Sequence, residues 1–274
     1  MGYKAIELQC TQGVALVWLN RPEARNALDP AMVSEIGAAL DDLESDASVR
    51  ALVFAGRGTA FCAGLDLGWL KRLGAKGRGG VADARRLTSL LHRLYAFPKP
   101  TVARVHGCTF AGGLGLIAAC DIAIAAQDAE FCLSEVRLGL AATTIMPYIV
   151  RAIGERHARR YALSAERFSA AEAYRIGLVH DLALPGELDG TVNRLLGELV
   201  QGAPAAQANA KEFAIALAGQ AITEQTAARS AARFSSVLAS KEARGGIDAL
   251  LAKQQAPWMS AGSPPGKRRR KTAA

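Results

Sequence analysis

Histidine and cysteine are scarce in this chain, and neither is arranged for the chemistry it often serves. The four histidines, His92, His106, His157 and His180, lack the partner pattern of a catalytic triad or a metal site. The five cysteines, Cys10, Cys62, Cys108, Cys120 and Cys132, are odd in number and show no C-x-x-C spacing. That excludes a disulfide scaffold and points to reduced thiols in the cytoplasm. Long apolar runs are missing too. The most apolar stretch, Leu114 to Ala126, is interrupted by Asp121 and is too short to cross a bilayer, and no signal peptide is read before the first strand, so a soluble protein is expected. There is no P-loop and no G-x-S-x-G elbow.

What remains is an apolar, mildly basic chain. Half of the 274 residues are apolar, enough for a large core with a smaller appendage. The formal charge is +8, but five of the cations, Lys267 to Lys271, stand together after the turn-prone Ser263-Pro264-Pro265-Gly266. A block of this kind reads as a solvated tail, and no aromatic residue interleaves with it to stack bases, so nucleic acid is not the expected partner. Steep salt dependence of any RNA binding would support the opposite reading.

Strand and helix patterns alternate from the start. Tyr3 to Gln9 and Val14 to Leu19 read as strands, Pro30 to Leu43 as a helix capped by Asp29, and Ala51 to Phe54 and Thr101 to Val105 as buried strands. Gly74 to Gly80 breaks the pattern before the apolar spacing of Leu87, Leu90, Leu91 and Leu94 restores a helix. After Thr144 the chain is almost wholly helical, with a capping box at Ser169 and Glu172, a stop at Gly177, an extended piece at Leu178 to Leu182, and helices near 187–200, 204–218 and 224–238. No internal repeat is visible. The class is α/β, divided into a core over 1–200, a helical part over 201–258 and a basic tail over 259–274.

Two glycine-rich segments carry the chemistry. Phe61 to Leu67, FCAGLDL, and the run within Val102 to Ile122, VARVHGCTFAGGLGLIAACDI, each follow a strand and enter a helix, where unpaired backbone N–H groups can face a bound anion. Two such segments can grip one developing oxyanion. Gly113, Gly115 and Ala118 also fit the dinucleotide fingerprint, but His106 to Gly112 intervene between the strand and its first glycine. Glu135, in the apolar stretch FCLSEVRLGL, is placed to have a raised pKa suited to proton transfer.

NRPEARNAL at Asn20 to Leu28, FCAGLDL, HGCTFAGGLGL, CDIAIA and FCLSEVRLGL occur in an order that resembles the crotonase (enoyl-CoA hydratase/isomerase) superfamily, and look most like its methylglutaconyl/isohexenylglutaconyl-CoA hydratases. The resemblance implies a spiral of ββα units with a helical C-terminal part. It implies an acyl-CoA substrate, a homotrimer or a dimer of trimers, no membrane, and no cofactor beyond the CoA of the substrate itself. By motif position the oxyanion donors are the amides of Leu65 and Gly112, the acid/base residue is Glu135, and Ala24, Arg25, Ala27, Ala63, Asp66 and Leu67 surround CoA. Lys71, Arg72, Lys76 and Arg78 stand ready for CoA phosphates or a carboxylated acyl group. Thr143 falls where the reacting water is held. Gly115 occupies the place of a first catalytic glutamate in two-glutamate hydratases. The expected activity is hydration of an enoyl-CoA of branched or carboxylated glutaconyl type, the alternative a Δ3,Δ2-enoyl-CoA isomerase using one glutamate. An RNA-binding protein and an inactive scaffold of the same shape are further readings.

Overall fold

The computed structural model describes residues 2–184 and 186–259. The Lys267 to Lys271 cluster and nearly all of the expected 259–274 tail lie outside them. The chain opens with an antiparallel pair, β1 (Ile6–Thr11) and β2 (Val14–Leu19), followed by α1 (Pro30–Ser45). Asp29 caps that helix by accepting from Met32 N at 2.8 Å, with Pro30 in the first turn, as the sequence reading has it.

The chain then winds in strand–strand–helix turns. The first holds β3 (Ala51–Gly56), β4 (Ala60–Cys62) and the helices α2 (Leu67–Ala75) and α3 (Val81–Tyr95), joined by a 3-10 turn at Gly77–Gly80. The second holds β5 (Thr101–Val105), β6 (Cys108–Phe110) and α4 (Gly112–Ala119). The third holds β7 (Ile122–Ala126), β8 (Glu130–Cys132), a short 3-10 turn at Glu135–Leu138, and α5 (Met146–Ser164). Each turn lays its first strand in one sheet and its second in another. With β9 (Phe168–Ser169) and β10 (Asp181–Ala183) added, the sheets run β1-β2-β3-β5-β7-β10 and β4-β6-β8-β9, parallel except at β1-β2 and β8-β9. The repeat is one of backbone path, and the three turns share no lettering that a sequence scan can find.

Burial explains why β3 reads as an unbroken apolar run: all six of its residues are buried, because the large sheet is covered on both faces. One face packs on α1, α3 and α4 through Phe54, Leu40, Leu91 and Leu116, and the other receives Leu188, Val192 and Leu196 of α7 (Leu188–Leu199). Ser169 caps α6 (Ala170–Arg175) by accepting from Glu172 N at 3.2 Å. The expected capping box is half formed, because the Glu172 carboxylate turns instead to the Tyr161 hydroxyl and to Arg175. Those partners hold its pKa down at about 2. The chain ends in α8 (Pro204–Leu217), α9 (Glu224–Leu238) and α10 (Lys241–Leu251), the last of which the sequence reading did not separate out. Lys211 on α8 ties this part to the core through Asp121 at 2.8 Å, and Asp121 also accepts from the amide and hydroxyl of Thr101. Among the described residues no helix is long and apolar enough to cross a membrane.

Candidate functional site

Between the three turns and the loop after β2 lies a cavity of about 560 Å³. The residues singled out from sequence, Ala24, Ala27, Ala63, Leu65, Asp66, Leu67, Gly112 and Glu135, all lie on its wall.

The two glycine segments touch. Gly64 has φ +99°, and a methyl group there would lie 2.9 Å from Ala111 Cβ and 3.5 Å from Gly112 N, so the backbone at 64–65 sits directly beside the start of α4. Leu28 holds the first segment by donating to Gly64 O at 2.7 Å and accepting from Asp66 N at 2.8 Å. Those two bonds bracket Leu65 and leave its own amide unused. Gly112 opens α4, where the first N–H groups have no intrahelical acceptor. Neither the Leu65 nor the Gly112 amide has an acceptor among the described residues. The turn into α4 is strained: Ala111 has φ 47° and ψ −118°, a conformation that a non-glycine residue keeps only when its surroundings enforce it. Here Ala111 N donates to Cys132 O at 2.8 Å and Leu114 N donates to Ala111 O at 2.9 Å.

Glu135 begins the short turn after β8. Its Oε2 is buried with no hydrogen-bond partner among the described residues. Burial is the main cause that lifts its carboxyl above the ordinary value, with a smaller opposing effect from its own backbone N–H. Asp66 behaves in the opposite way. It caps α2 by accepting from Trp69 N at 2.9 Å, and that bond, followed by Arg21, holds its pKa below the ordinary value. Arg21 also donates to Ala27 O and pairs with Asp29, tying the loop after β2 to the cavity wall.

Two expected residues stand elsewhere. Thr143 is off the wall and exposed, and its amide is already spent on Ala141 O at 2.8 Å, so it cannot hold a water as expected. Its neighbour Thr144 lines the cavity, and its hydroxyl has no partner among the described residues. Arg25 is exposed at φ 50°, away from the wall, with its carbonyl accepting from Ala63 N and its guanidinium unpaired among the described residues. Lys71, Arg72 and Lys76 do not themselves line the wall, Lys76 pairing with Asp83 at 2.8 Å and Arg72 standing behind the wall residue Gly68, near enough to help lower the Asp66 pKa; the Arg78 side chain lies outside what the structure describes. The apolar wall residues Trp69, Leu73, Leu87 and Leu138 were missed as site residues. The spacing of Leu87 signalled only that it is buried in a helix, and nothing in the sequence says that this helix borders a cavity.

The neighbouring glycines serve packing. A Cβ on Gly113 would meet Cys62 O at 2.5 Å, and one on Gly115 would meet Ile145 Cγ2 at 2.3 Å. Gly115 therefore sits where a buried isoleucine fills the room that a side chain would need. Cys62 is fully buried, which pushes its thiol up to about 12 and makes it inert.

A spiral that lays alternate strands in two sheets around such a cavity marks the chain as a crotonase-type protein. Residues 9–261 match the family model for enoyl-CoA hydratase/isomerase, and the chain belongs to that family. It is similar to a putative enoyl-CoA hydratase of Thermus thermophilus, 41% identical over 77% of this chain and 84% of that protein. A crotonyl-CoA hydratase of Syntrophomonas wolfei is 31% identical over 95% of this chain and 100% of its own length. Among solved structures, an enoyl-CoA hydratase from Shewanella pealeana superposes with a TM-score of 0.90 at 35% identity, covering 93% of this chain and 96% of that one.

Proposed function

We propose that the protein hydrates the α,β double bond of an enoyl-CoA thioester, with the Leu65 and Gly112 amides holding the thioester oxygen and Glu135 moving the proton. The observation that carries this reading is the pair of unbonded amides lining one cavity with a carboxylate whose Oε2 is buried without a partner among the described residues. As water adds its oxygen to the β-carbon, Glu135 takes the water proton and the electron pair of the double bond moves onto the thioester oxygen. Each amide stabilises that oxyanion by about 3 kcal/mol. Glu135 then returns the proton to the α-carbon on the same face. No step calls on a metal or redox cofactor. Arg25, exposed and unpaired near Ala24 and Ala63, supplies a cation for the CoA phosphates. Thr144 replaces Thr143 as the second group on the attacking water.

A second reading has one observation in its favour. Ile145 occupies the space a second carboxylate would need, and a single glutamate is sufficient to carry a proton between the α- and γ-carbons of an isomerase substrate. Turnover of an enoyl-CoA in ¹⁸O-labelled water separates the two. Label in a 3-hydroxyacyl product is the expected result; a shifted double bond with no label ends the hydratase reading. In the same assay Thr144→Val lowers label incorporation by roughly tenfold while thioester affinity holds, as loss of one hydrogen bond to a transition state does. Unchanged incorporation removes Thr144 from the scheme.

An assembly of several copies is proposed as well, on the exposure of Phe234, Leu238, Leu250 and Leu251 along α9 and α10, which a lone chain leaves facing water. The family resemblance favours a trimer or pair of trimers, and the five free thiols favour a reducing compartment such as the cytoplasm.

A further inference from the structure

We infer that Arg21 is a positioning residue for this reaction: its guanidinium fastens the Leu28–Leu65 bridge from behind and so sets the aim of the Leu65 amide at the thioester oxygen. The inference rests on the acyl-CoA reading above and deepens it, giving one oxyanion donor a support that reaches the cavity wall from outside.

Leu65 is held by backbone pairing with a single residue. Leu28 and Leu65 form a parallel bridge, in which Leu28 N donates to Gly64 O at 2.7 Å and Leu28 O accepts from Asp66 N at 2.8 Å. Polar groups of a paired extended backbone alternate in direction, so the two bonds that flank Leu65 turn its own N–H away from Leu28. A bridge of one residue pair fixes distance but leaves tilt to whatever grips its two sides. Arg21 grips both. Its Nη1 donates to Ala27 O at 2.6 Å and pairs with Asp29 Oδ2 at 3.4 Å, on either side of Leu28. Its Nη2 donates to Asp66 Oδ2 at 3.3 Å, next to Leu65. A planar guanidinium carries its donors in fixed directions, so three acceptors on two segments hold those segments at one angle.

Both carboxylates are themselves anchored. Asp29 Oδ1 caps α1 on Met32 N at 2.8 Å, and Asp66 Oδ1 caps α2 on Trp69 N at 2.9 Å, so Arg21 joins the starts of two helices across the bridge. The Trp69 amide first and Arg21 next keep the Asp66 carboxyl below its ordinary pKa, whereas burial raises that of Glu135. Asp66 and Arg21 therefore remain an ion pair over the range in which Glu135 titrates.

The backbone of the same loop has an anchor of its own. Asn26 is fully buried; its Oδ1 accepts from Arg21 N at 2.9 Å, and its Nδ2 donates to Arg57 O and Ala60 O, each at 2.8 Å. Removing the Arg21 side chain leaves those bonds in place and frees the angle between 27–29 and 64–66. A donor aimed at a reacting oxygen does not tolerate that freedom, since a displacement of about 1 Å costs on the order of a hundredfold in rate.

The test reads the thioester carbonyl directly. Hexanoyl-CoA, saturated and unreactive, is labelled with carbon-13 at its carbonyl, and difference infrared spectra against the unlabelled thioester isolate the C=O band in the complex with the full-length protein. Amide donors on the oxygen lower that band relative to free hexanoyl-CoA. Arg21→Met is expected to lose about half of the downshift or more and to lower kcat for crotonyl-CoA hydration by roughly ten- to a hundredfold. Hexanoyl-CoA affinity stays within about threefold of wild type, because the interaction lost is one made in the transition state. Asp29→Asn keeps the cap on Met32 N, removes one pair from Arg21, and is expected to move the band and kcat the same way by less. A folded Arg21→Met protein with the full downshift overturns the inference even where kcat falls, and so does a raised KM at unchanged kcat, which makes Arg21 a binding group. Should Arg21→Met fail to fold, the band of Asp29→Asn decides in its place, an unchanged band overturning the inference. Wild type without a downshift removes the oxyanion pair of the proposed reaction and the inference with it. A band that follows Arg21 in a protein that hydrates no enoyl-CoA keeps the inference and ends the hydratase reading.

Discussion

Glu135→Gln lowers kcat for enoyl-CoA hydration by about two to four orders of magnitude, the range for loss of a positioned general acid/base, and raises the melting temperature at neutral and alkaline pH. Both effects come from one environment. The Glu135 carboxyl has a buried oxygen without a partner and a pKa lifted by burial. A carboxyl whose pKa is raised on folding stabilises the folded state below its unfolded value and loses that contribution as pH climbs through the folded value. Above that point the protein carries a desolvated charge with one oxygen unpartnered among the described residues, and glutamine removes it. The stability gain is therefore small near pH 4 and grows as pH rises through the elevated pKa. Turnover of the wild type follows the ionised form, because a protonated carboxyl cannot take the water proton, so the rate falls with acidity at a pH above the ordinary value of 4.5. Kinetics and thermal melts of both proteins across pH check the pair of results. Near-full turnover by the glutamine variant would remove Glu135 from the mechanism, and a melting temperature that does not diverge with pH would remove the burial argument.

Restoring a glutamate at the place of the first catalytic carboxylate does not improve the enzyme. Gly115→Glu is expected to destabilise the fold by about 3 kcal/mol or more, combining overpacking with burial of an unpaired carboxylate. Its Cβ would fall 2.3 Å from Ile145 Cγ2 and 2.9 Å from Ile145 Cβ. Ile145 is a branched side chain with 1% exposure, and Leu91 backs the same space at 3.6 Å, so the clash falls near backbone and not on a flexible tip. Gly115→Glu combined with Ile145→Ala opens the room and recovers part of the loss. Urea denaturation of the two variants measures the difference. If Gly115→Glu alone is as stable as wild type and hydrates faster, the packing account of residue 115 is wrong. The same pair of residues shows why no glutamate fits at position 115: its side chain would need space that Ile145 already fills.

The local features of the chain were legible because each depends on neighbours a few residues away. Asp29 and Pro30 announce α1, the alternation of Val14 to Leu19 announces β2, and an amide at a glycine-rich helix start is unbonded wherever the helix is placed. The motifs FCAGLDL and HGCTFAGGLGL thereby nominated Leu65 and Gly112 from local pattern and family order. Residues whose role depends on what faces them were not legible. Thr143 and Thr144 are adjacent and identical, and only the path of the chain after the turn at Glu135–Leu138 places Thr144 on the cavity wall and leaves Thr143 exposed. Lys71, Arg72 and Lys76 sit close in sequence to a ligand segment, yet α2 carries Leu70 and Leu73 to the wall instead, because a helix presents only one stripe of its surface to a given neighbour.

The sequence by itself determined the alternation of strands and helices, the family, and the two stretches of backbone whose amides lack partners, since these follow from residue type and short-range hydrogen bonding. Only the tertiary structure decided that the two glycine segments lie side by side and that Ile145 closes the space over Gly115. Those facts depend on which surfaces meet when three dissimilar turns of the spiral stack, and contact between residues far apart in the chain leaves no pattern in the letters of either one.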